Sequence, residues 1–281
     1  MTQIATQTVE DVRTFWESNP LWTGESRHAP GERAFFEEHR SVFINDCLAG
    51  RFDSRFIPPP GNRDAVLDLG CGPGFWVIEL SKYAKTITGA DLTQNALNLT
   101  RERCNIYNVQ ATLSQQNAET MSFEDGSFSH VNCQGVIHHT PNTPACVREI
   151  ARVLRSGGTA SVSVYYKNIF LRAWPLLNGI GKLLHRLGAR LPGRGRENIF
   201  ALNDVDEIVR LYDGLENPIG KAYSRSEFIT MLSPYFDVEE TYLHFFPART
   251  LPFPVPGWLH RLLDRHAGFM IYATLRKKTN P

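Results

Sequence analysis

The sequence has no surplus of either charge: 30 Lys and Arg stand against 29 Asp and Glu, a formal net charge of +1. Nucleic acid is therefore not the expected partner, because neutralising phosphates takes a basic surplus. Cysteine is scarce. Cys47, Cys71, Cys104, Cys133 and Cys146 form no Cys-x-x-Cys pair, and their odd number fits reduced, buried thiols better than a disulfide framework or a zinc site. His138 and His139 are adjacent, whereas two zinc ligands on one helix face sit four apart, so no metal site is expected. No stretch approaches the ~18 apolar residues that a membrane-spanning helix needs. The segment Met1 to Glu10 lacks the basic start and apolar run of a secretory signal. These absences point to a cytoplasmic globular protein. A chain of 281 residues has room for one large core domain with appended segments.

What is present is a change of rhythm along the chain. Val9, Val12, Phe15 and Trp16 are spaced for one helix face, and a second helical run covers Phe35 to Leu48. Ile57-Pro-Pro-Pro-Gly61 breaks it and marks a boundary. From Ala65 to Tyr165 short apolar strands alternate with helical segments, the pattern of a parallel sheet covered on both faces. Residues 167–223 interrupt that rhythm with helical spacing and no clear strand. Two late strands are expected at Phe236–His244 and Phe269–Leu275. The organisation expected is an N-terminal helical lid (1–60), a core (61–166), a helical cap inserted over the carboxyl edge of the sheet (167–223), and C-terminal strands completing the sheet (224–281).

The chemistry is concentrated in Val66-Leu-Asp-Leu-Gly-Cys-Gly-Pro-Gly-Phe-Trp76. A buried strand runs into Gly70, Cys71, Gly72, Pro73 and Gly74, where glycines let the backbone approach a ligand closely. The next strand ends in Asp91, placed to accept hydrogen bonds from ribose hydroxyls or, more plainly, to cap the following helix. A nicotinamide dinucleotide is disfavoured, since its fingerprint places a third glycine where this chain has Phe75. Asp68, two residues before the first glycine, suits a ligand whose near end is cationic, which favours S-adenosylmethionine.

These residues resemble the class I S-adenosylmethionine-dependent methyltransferases, in their small-molecule branch, and further segments are similar in the same order. They are Gln116-Asn-Ala-Glu119 with Met121-Ser-Phe-Glu-Asp-Gly-Ser-Phe128, then Val136-Ile-His-His-Thr-Pro141, then Arg148-Glu-Ile-Ala-Arg-Val-Leu-Arg-Ser-Gly-Gly158. The resemblance implies a Rossmann-like, doubly wound α/β fold with a seven-stranded sheet whose last strand is antiparallel. It implies S-adenosyl-L-methionine as cofactor, held by Asp68, Gly70, Cys71, Gly72, Gly74, Asp91, Leu92, Asn117, Ala118, Glu119 and Gln134. Asn117 departs from the family's usual Asp at the position that recognises the adenine amino group. An amide oxygen still accepts that bond, more weakly than a carboxylate.

Methyl transfer needs an acceptor atom about 3 Å from the methyl and in line with it. His138 and His139 fall where the fourth strand opens onto the cofactor, and histidine suits proton removal at neutral pH. The alternative is that one packs on the loop and the other bonds backbone. Tyr165, with Tyr166, ends the fifth strand on the same edge, to orient an acceptor or to shape the pocket. Trp16 and Trp22 either cover the site or pack on the sheet.

The acceptor expected is a small molecule, partly apolar, methylated on O, N, C or S. Residues 167–196 carry seven Lys or Arg and no Asp or Glu, beside apolar residues such as Leu176, Ile180 and Leu183. Such a segment is either a cap with its apolar side on the sheet, a peripheral contact with an anionic membrane or lipid-linked acceptor, or a reader of an anionic soluble acceptor. From other classes, a cofactor-binding module without catalysis and an NAD-dependent oxidoreductase are the alternatives.

Overall fold

The structure, a computed structural model, describes residues 7–191 and 193–279, so the first six residues of the expected N-terminal segment lie outside the described residues. Helix α1 (Val9–Ser18) starts at Thr8, whose hydroxyl accepts from the Asp11 amide while the Asp11 carboxylate accepts from the Thr8 amide, a reciprocal cap. Helix α2 (Arg33–Val42) runs on into a wider turn at Phe43–Cys47. After the prolines come β1 (Ala65–Leu69), α3 (Phe75–Ser81), β2 (Thr86–Asp91), α4 (Gln94–Tyr107), β3 (Thr112–Gln115), β4 (Phe128–Gln134), α5 (Thr143–Val153) and β5 (Leu154–Tyr166). The insertion holds α6 (Ile169–Arg172), α7 (Trp174–Arg186), α8 (Val205–Arg210) and β6 (Ala222–Tyr223). The chain ends with α9 (Arg225–Leu232), β7 (Phe236–His244), α10 (Gly257–Ala267) and β8 (Met270–Lys277).

The strands form one sheet in the order β3-β2-β1-β4-β5-β8-β7, with β1 to β5 parallel and β8 antiparallel to both of its neighbours. This is the expected seven-stranded doubly wound arrangement with the last strand antiparallel. A short eighth strand, β6, pairs parallel to the end of β5, within a stretch expected to hold no strand. The order reverses between β1 and β4, which opens a crevice at the carboxyl ends of those strands. Both faces are covered. Val66 packs into the layer containing Phe75, Val77 and Leu80, whereas Leu67 packs into the layer containing Ile150, Val153 and Phe228, as the two-residue period of a strand demands.

Two features were not anticipated. Helix α10 follows the prolines between the late strands, and Pro256 sits at its N-cap, where the missing N–H costs nothing. In α7 only Gly181 is buried, while Leu176, Ile180 and Leu183 face outward. Of the three readings of this segment, the one that lays its apolar side on the sheet does not describe Leu176, Ile180 and Leu183. Trp174 makes the inward contact, its indole N–H donating to Leu202 O at 2.8 Å, and Gly181 is small because the Trp174 ring lies against it. Among the described residues, no helix is long and apolar enough to cross a membrane.

Candidate active site

The crevice at the switch point is the floor of a cavity of about 290 Å³. Gly70 leaves β1 with φ +73°, and a Cβ there would lie 2.2 Å from Val136 Cγ2, so only glycine lets the loop tuck under the β4 exit. The Gly70 and Cys71 amides donate to Ala90 O at 2.7 and 2.9 Å, tying the loop to β2. Cys71 contributes backbone: burial pushes its thiol well above the ordinary range.

Asp91 is shared between architecture and ligand. One carboxylate oxygen accepts from the Gly72 amide at 3.0 Å, and the other from the Thr93 amide and hydroxyl at 2.9 and 2.8 Å. A carboxylate offers about four acceptor positions, so one remains for a ligand. Its expected capping role is realised as this turn, while Thr93 occupies the N-cap of α4. Burial raises the Asp91 carboxyl despite these bonds.

Asp68 lies beneath the loop, outside the cavity lining. One oxygen accepts from the Asn132 amide at 2.7 Å and the other has no partner. Burial, reinforced by the charge of Asp91, pushes its carboxyl up to about 7. Asn132 links it to Gln134, whose Nε2 donates to Asn132 Oδ1 (3.0 Å) and Ser161 Oγ (2.6 Å) while its Oε1, buried, has no donor. Gln134, Leu92, Asn117 and Ala118 line the cavity with Gly70, Cys71 and Gly72. Gly74 and Glu119 do not. Gly74 packs on Thr100, and the Glu119 carboxylate accepts from the Asn142 amide at 2.6 Å. Asn117 Oδ1 accepts from the Glu119 amide at 3.0 Å, holding the loop that presents Ala118.

Opposite the glycine loop, His138, His139 and Tyr165 meet, and the insertion adds Asp213. The Tyr165 hydroxyl donates to Asp213 Oδ2 at 2.5 Å, and His139 Nε2 lies 3.3 Å from the same oxygen. His139 Nδ1 donates to Ile219 O at 2.7 Å, so this ring is held at both ends. Burial alone would raise the Asp213 carboxyl, but His139, the Tyr165 hydroxyl and Arg196 outweigh it and hold it well below the usual range. The His138 ring lies tilted against that of Tyr165, centroids 4.2 Å apart, and is fully buried, and neither of its nitrogens has a partner. Burial pushes His138 well below 6.5, so its imidazole is neutral at physiological pH.

Sequence reasoning missed Asp213. Its partners lie 48 and 74 positions away, and an Asp-Gly pair between helical turns reads as an ordinary turn. It missed the far wall as well. Arg194 donates to Asn19, Pro20 and Thr23 carbonyls and to Asp213 O, pinning the N-terminal segment to the insertion. Glu25 accepts from Arg249 (3.1 Å) and lies 2.8 Å from Arg196. Trp16 and Trp22 both line the cavity. The Trp22 indole N–H is unpartnered, and its backbone sits at φ +73°, uncommon for a bulky residue. Tyr166 instead packs on the opposite layer.

A glycine loop, an acid at the tip of the second strand and a crevice at a switch point define an open α/β protein built to hold a nucleoside. The comparisons narrow that class. Residues 66–158 match the family described as methyltransferase domain. The chain is 33% identical over 94 residues to the uncharacterized methyltransferase YcgJ of Bacillus subtilis (strain 168), covering 33% of this chain and 37% of that protein. It is 32% identical over 105 residues to a ubiquinone biosynthesis O-methyltransferase of Xanthomonas campestris pv. campestris (strain B100), covering 37% and 43%. The fold is similar to that of a SAM-dependent methyltransferase from Methanosarcina mazei, with TM-score 0.52 at 17% identity over 77% of this chain and 93% of that one. The chain spans less than half the length of these two curated relatives. It contains a class I S-adenosylmethionine-dependent methyltransferase domain.

The cavity fits that family's cofactor. Gln134 Oε1 is a buried acceptor without a donor, suited to the ammonium of a methionine moiety, and the free position on Asp91 suits a ribose hydroxyl. Asp91→Ala is accordingly expected to weaken S-adenosylhomocysteine binding by roughly 10- to 100-fold, since it removes a charged acceptor and loosens the Gly72 amide. Calorimetric titration checks this, and unchanged affinity would remove Asp91 from the site.

Proposed function

We propose that this protein transfers a methyl group from S-adenosyl-L-methionine to a partly apolar small-molecule acceptor bound between the glycine loop and the His138–Tyr165–Asp213 wall. The observation that carries this reading is His138, a neutral, buried imidazole with two free nitrogens in the same cavity as the cofactor loop. When bound, the cofactor supplies an activated methyl on a sulfonium. Gly70, Cys71 and Gly72 cradle it, Gln134 receives its amino end, Asp91 its ribose, and Leu92, Asn117 and Ala118 flank its base. His138 takes the acceptor's proton, Tyr165 and Asp213 orient the acceptor, and His139, tied to Ile219 and Asp213, holds that arrangement. The aromatic walls at Trp16, Trp22, Tyr212 and Phe245 exclude water and favour an apolar acceptor body. The N-terminal segment acts as the lid and the insertion as the acceptor-selecting cap.

The test is methyl-labelled S-adenosylmethionine incubated with the protein and an extract of the source cell, alongside titrations with S-adenosylhomocysteine and NADH. Label transfer with tight S-adenosylhomocysteine binding is expected. Binding of NADH instead would make the protein an oxidoreductase, and cofactor binding without transfer would make it a non-catalytic module.

Cofactor affinity is also expected to depend on pH. Asp68, at about 7 in the free protein, is partly protonated near neutrality, and an ammonium held at Gln134, which Asn132 joins to Asp68, would favour its ionised form. Binding then releases a proton, so S-adenosylhomocysteine affinity rises roughly tenfold from about pH 6 to about pH 8 and levels off. Asp68→Asn should flatten that profile, and an unchanged slope would assign the dependence to another group.

A further inference from the structure

The outward stripe of α7 is used neither by the fold nor by the cavity. Leu176, Ile180, Leu183 and Leu187 are 88%, 56%, 54% and 63% exposed and recur at the spacing of one helical face. Packing a Leu or Ile against the core is the ordinary fate of such a stripe, and a contiguous exposed one marks an interaction surface. A second stripe repeats the pattern on α10, where Trp258 and Leu262 are 65% and 50% exposed.

The two helices belong to one surface. At one end the Asn168 amide side chain donates to Ala267 O at 2.9 Å, and at the other the Arg190 amide donates to Thr250 O at 3.1 Å. Between them Phe246 contacts Phe170 with tilted rings and His260 edge-on, centroids 6.1 and 6.3 Å apart. The charge on this surface has one sign. Arg172, Lys182, Arg186 and Arg190 on the insertion and Arg261 and Arg265 on α10 are exposed, and none of them forms an ion pair among the described residues. Residues 167–196 contain no carboxylate, and the one on α10, Asp264, is buried against His244.

We propose that α7 and α10 together form a docking surface for an anionic lipid bilayer, on which the protein sits peripherally. Apolar side chains flanked by Lys and Arg match the boundary between acyl chains and anionic headgroups: the former leave water while the latter meet phosphate. A protein partner large enough to cover both stripes would have to be acidic around an apolar centre, whereas a bilayer supplies both properties everywhere. The surface adjoins the cavity, because Leu191 and Arg249, which line it, neighbour the Arg190–Thr250 junction. An apolar acceptor dissolved in the bilayer thus lies beside the cavity's far wall.

The test is co-flotation of the full chain with phosphatidylcholine vesicles prepared with and without phosphatidylglycerol. Binding is expected only with the anionic lipid, and it should fall as salt is raised. Leu176→Glu with Ile180→Glu, and separately Lys182→Glu with Arg186→Glu, should each weaken binding at least ~10-fold. These residues are exposed, so melting temperature and S-adenosylhomocysteine affinity should not change. Absence of binding to anionic vesicles, equal binding to both vesicle types, or binding indifferent to both double variants would each overturn the proposal. A lipid-free dimer that Leu176→Glu with Ile180→Glu splits into monomers would overturn it too, assigning the stripe to a second copy. The vesicle assay needs no methyl acceptor, so its failure and failure of the methyltransferase reading are separately visible.

Discussion

Replacing His138 with alanine is expected to lower turnover by ~10²–10⁴-fold, the usual contribution of a positioned base, while leaving S-adenosylhomocysteine affinity within about twofold. The cavity contains two histidines, and their hydrogen bonds separate their roles. His139 is engaged at both nitrogens, by Ile219 O and Asp213, and moving it would cost those contacts. His138 has neither nitrogen engaged and lies against Tyr165. A base acts in its neutral form, and burial displaces this ring's titration well below 6.5. The acid limb of the kcat–pH profile in the parent protein should therefore fall below the ordinary histidine range, with little change between about pH 6.5 and pH 8. Parallel loss of turnover and cofactor affinity in His138→Ala, with a lowered melting temperature, would make His138 a packing residue.

The second large effect is expected at Asp213. Asp213→Asn keeps the shape and one acceptor oxygen but removes the charge that His139, Tyr165 and Arg196 share. Removing the buried carboxylate takes the charged acceptor away from the Tyr165 hydroxyl and His139, and losing hydrogen bonds to a charged group typically costs about 1.5–3 kcal/mol. Urea unfolding at neutral pH should register a loss of that order. The sign of its pH dependence follows from the depressed carboxyl. Its stabilisation is complete above the unfolded value near 4 and is lost as pH falls toward the lower folded value. The parent and variant curves should therefore converge in acid. Turnover should fall by about 10- to 100-fold through misorientation of His139 and Tyr165. An Asp213→Asn protein with parental stability at neutral pH would show that the three-way contact carries little energy.

Much of this protein was legible locally. β1 was expected at Ala65–Leu69 and occurs there, because a buried strand between Asp64 and a glycine loop allows few other readings. The loop and Asp91 were legible for a related reason: a tight turn under a ligand needs positive φ at fixed spacing, and only glycine supplies it cheaply. The same local reading placed Glu119 in the site on the strength of its neighbours. The direction of its side chain was decided by the Asn142 amide, 23 positions on. For α7 the sequence contained an apolar stripe but no statement of its direction. Trp174 and Gly181 turned one side inward and left Leu176, Ile180 and Leu183 outside.

By itself, then, the sequence determined the alternating strand–helix order, the glycine loop and the acid that follows it, since these rest on contacts between near neighbours and on backbone torsions each residue permits or forbids. The tertiary structure alone decided that Asp213 joins His139 and Tyr165, that Arg194 closes the N-terminal segment onto the insertion, and that the insertion's apolar stripe faces outward. Those arrangements depend on which distant surfaces meet when the sheet closes. A side chain's charge or apolarity states what it needs, and only packing supplies the partner.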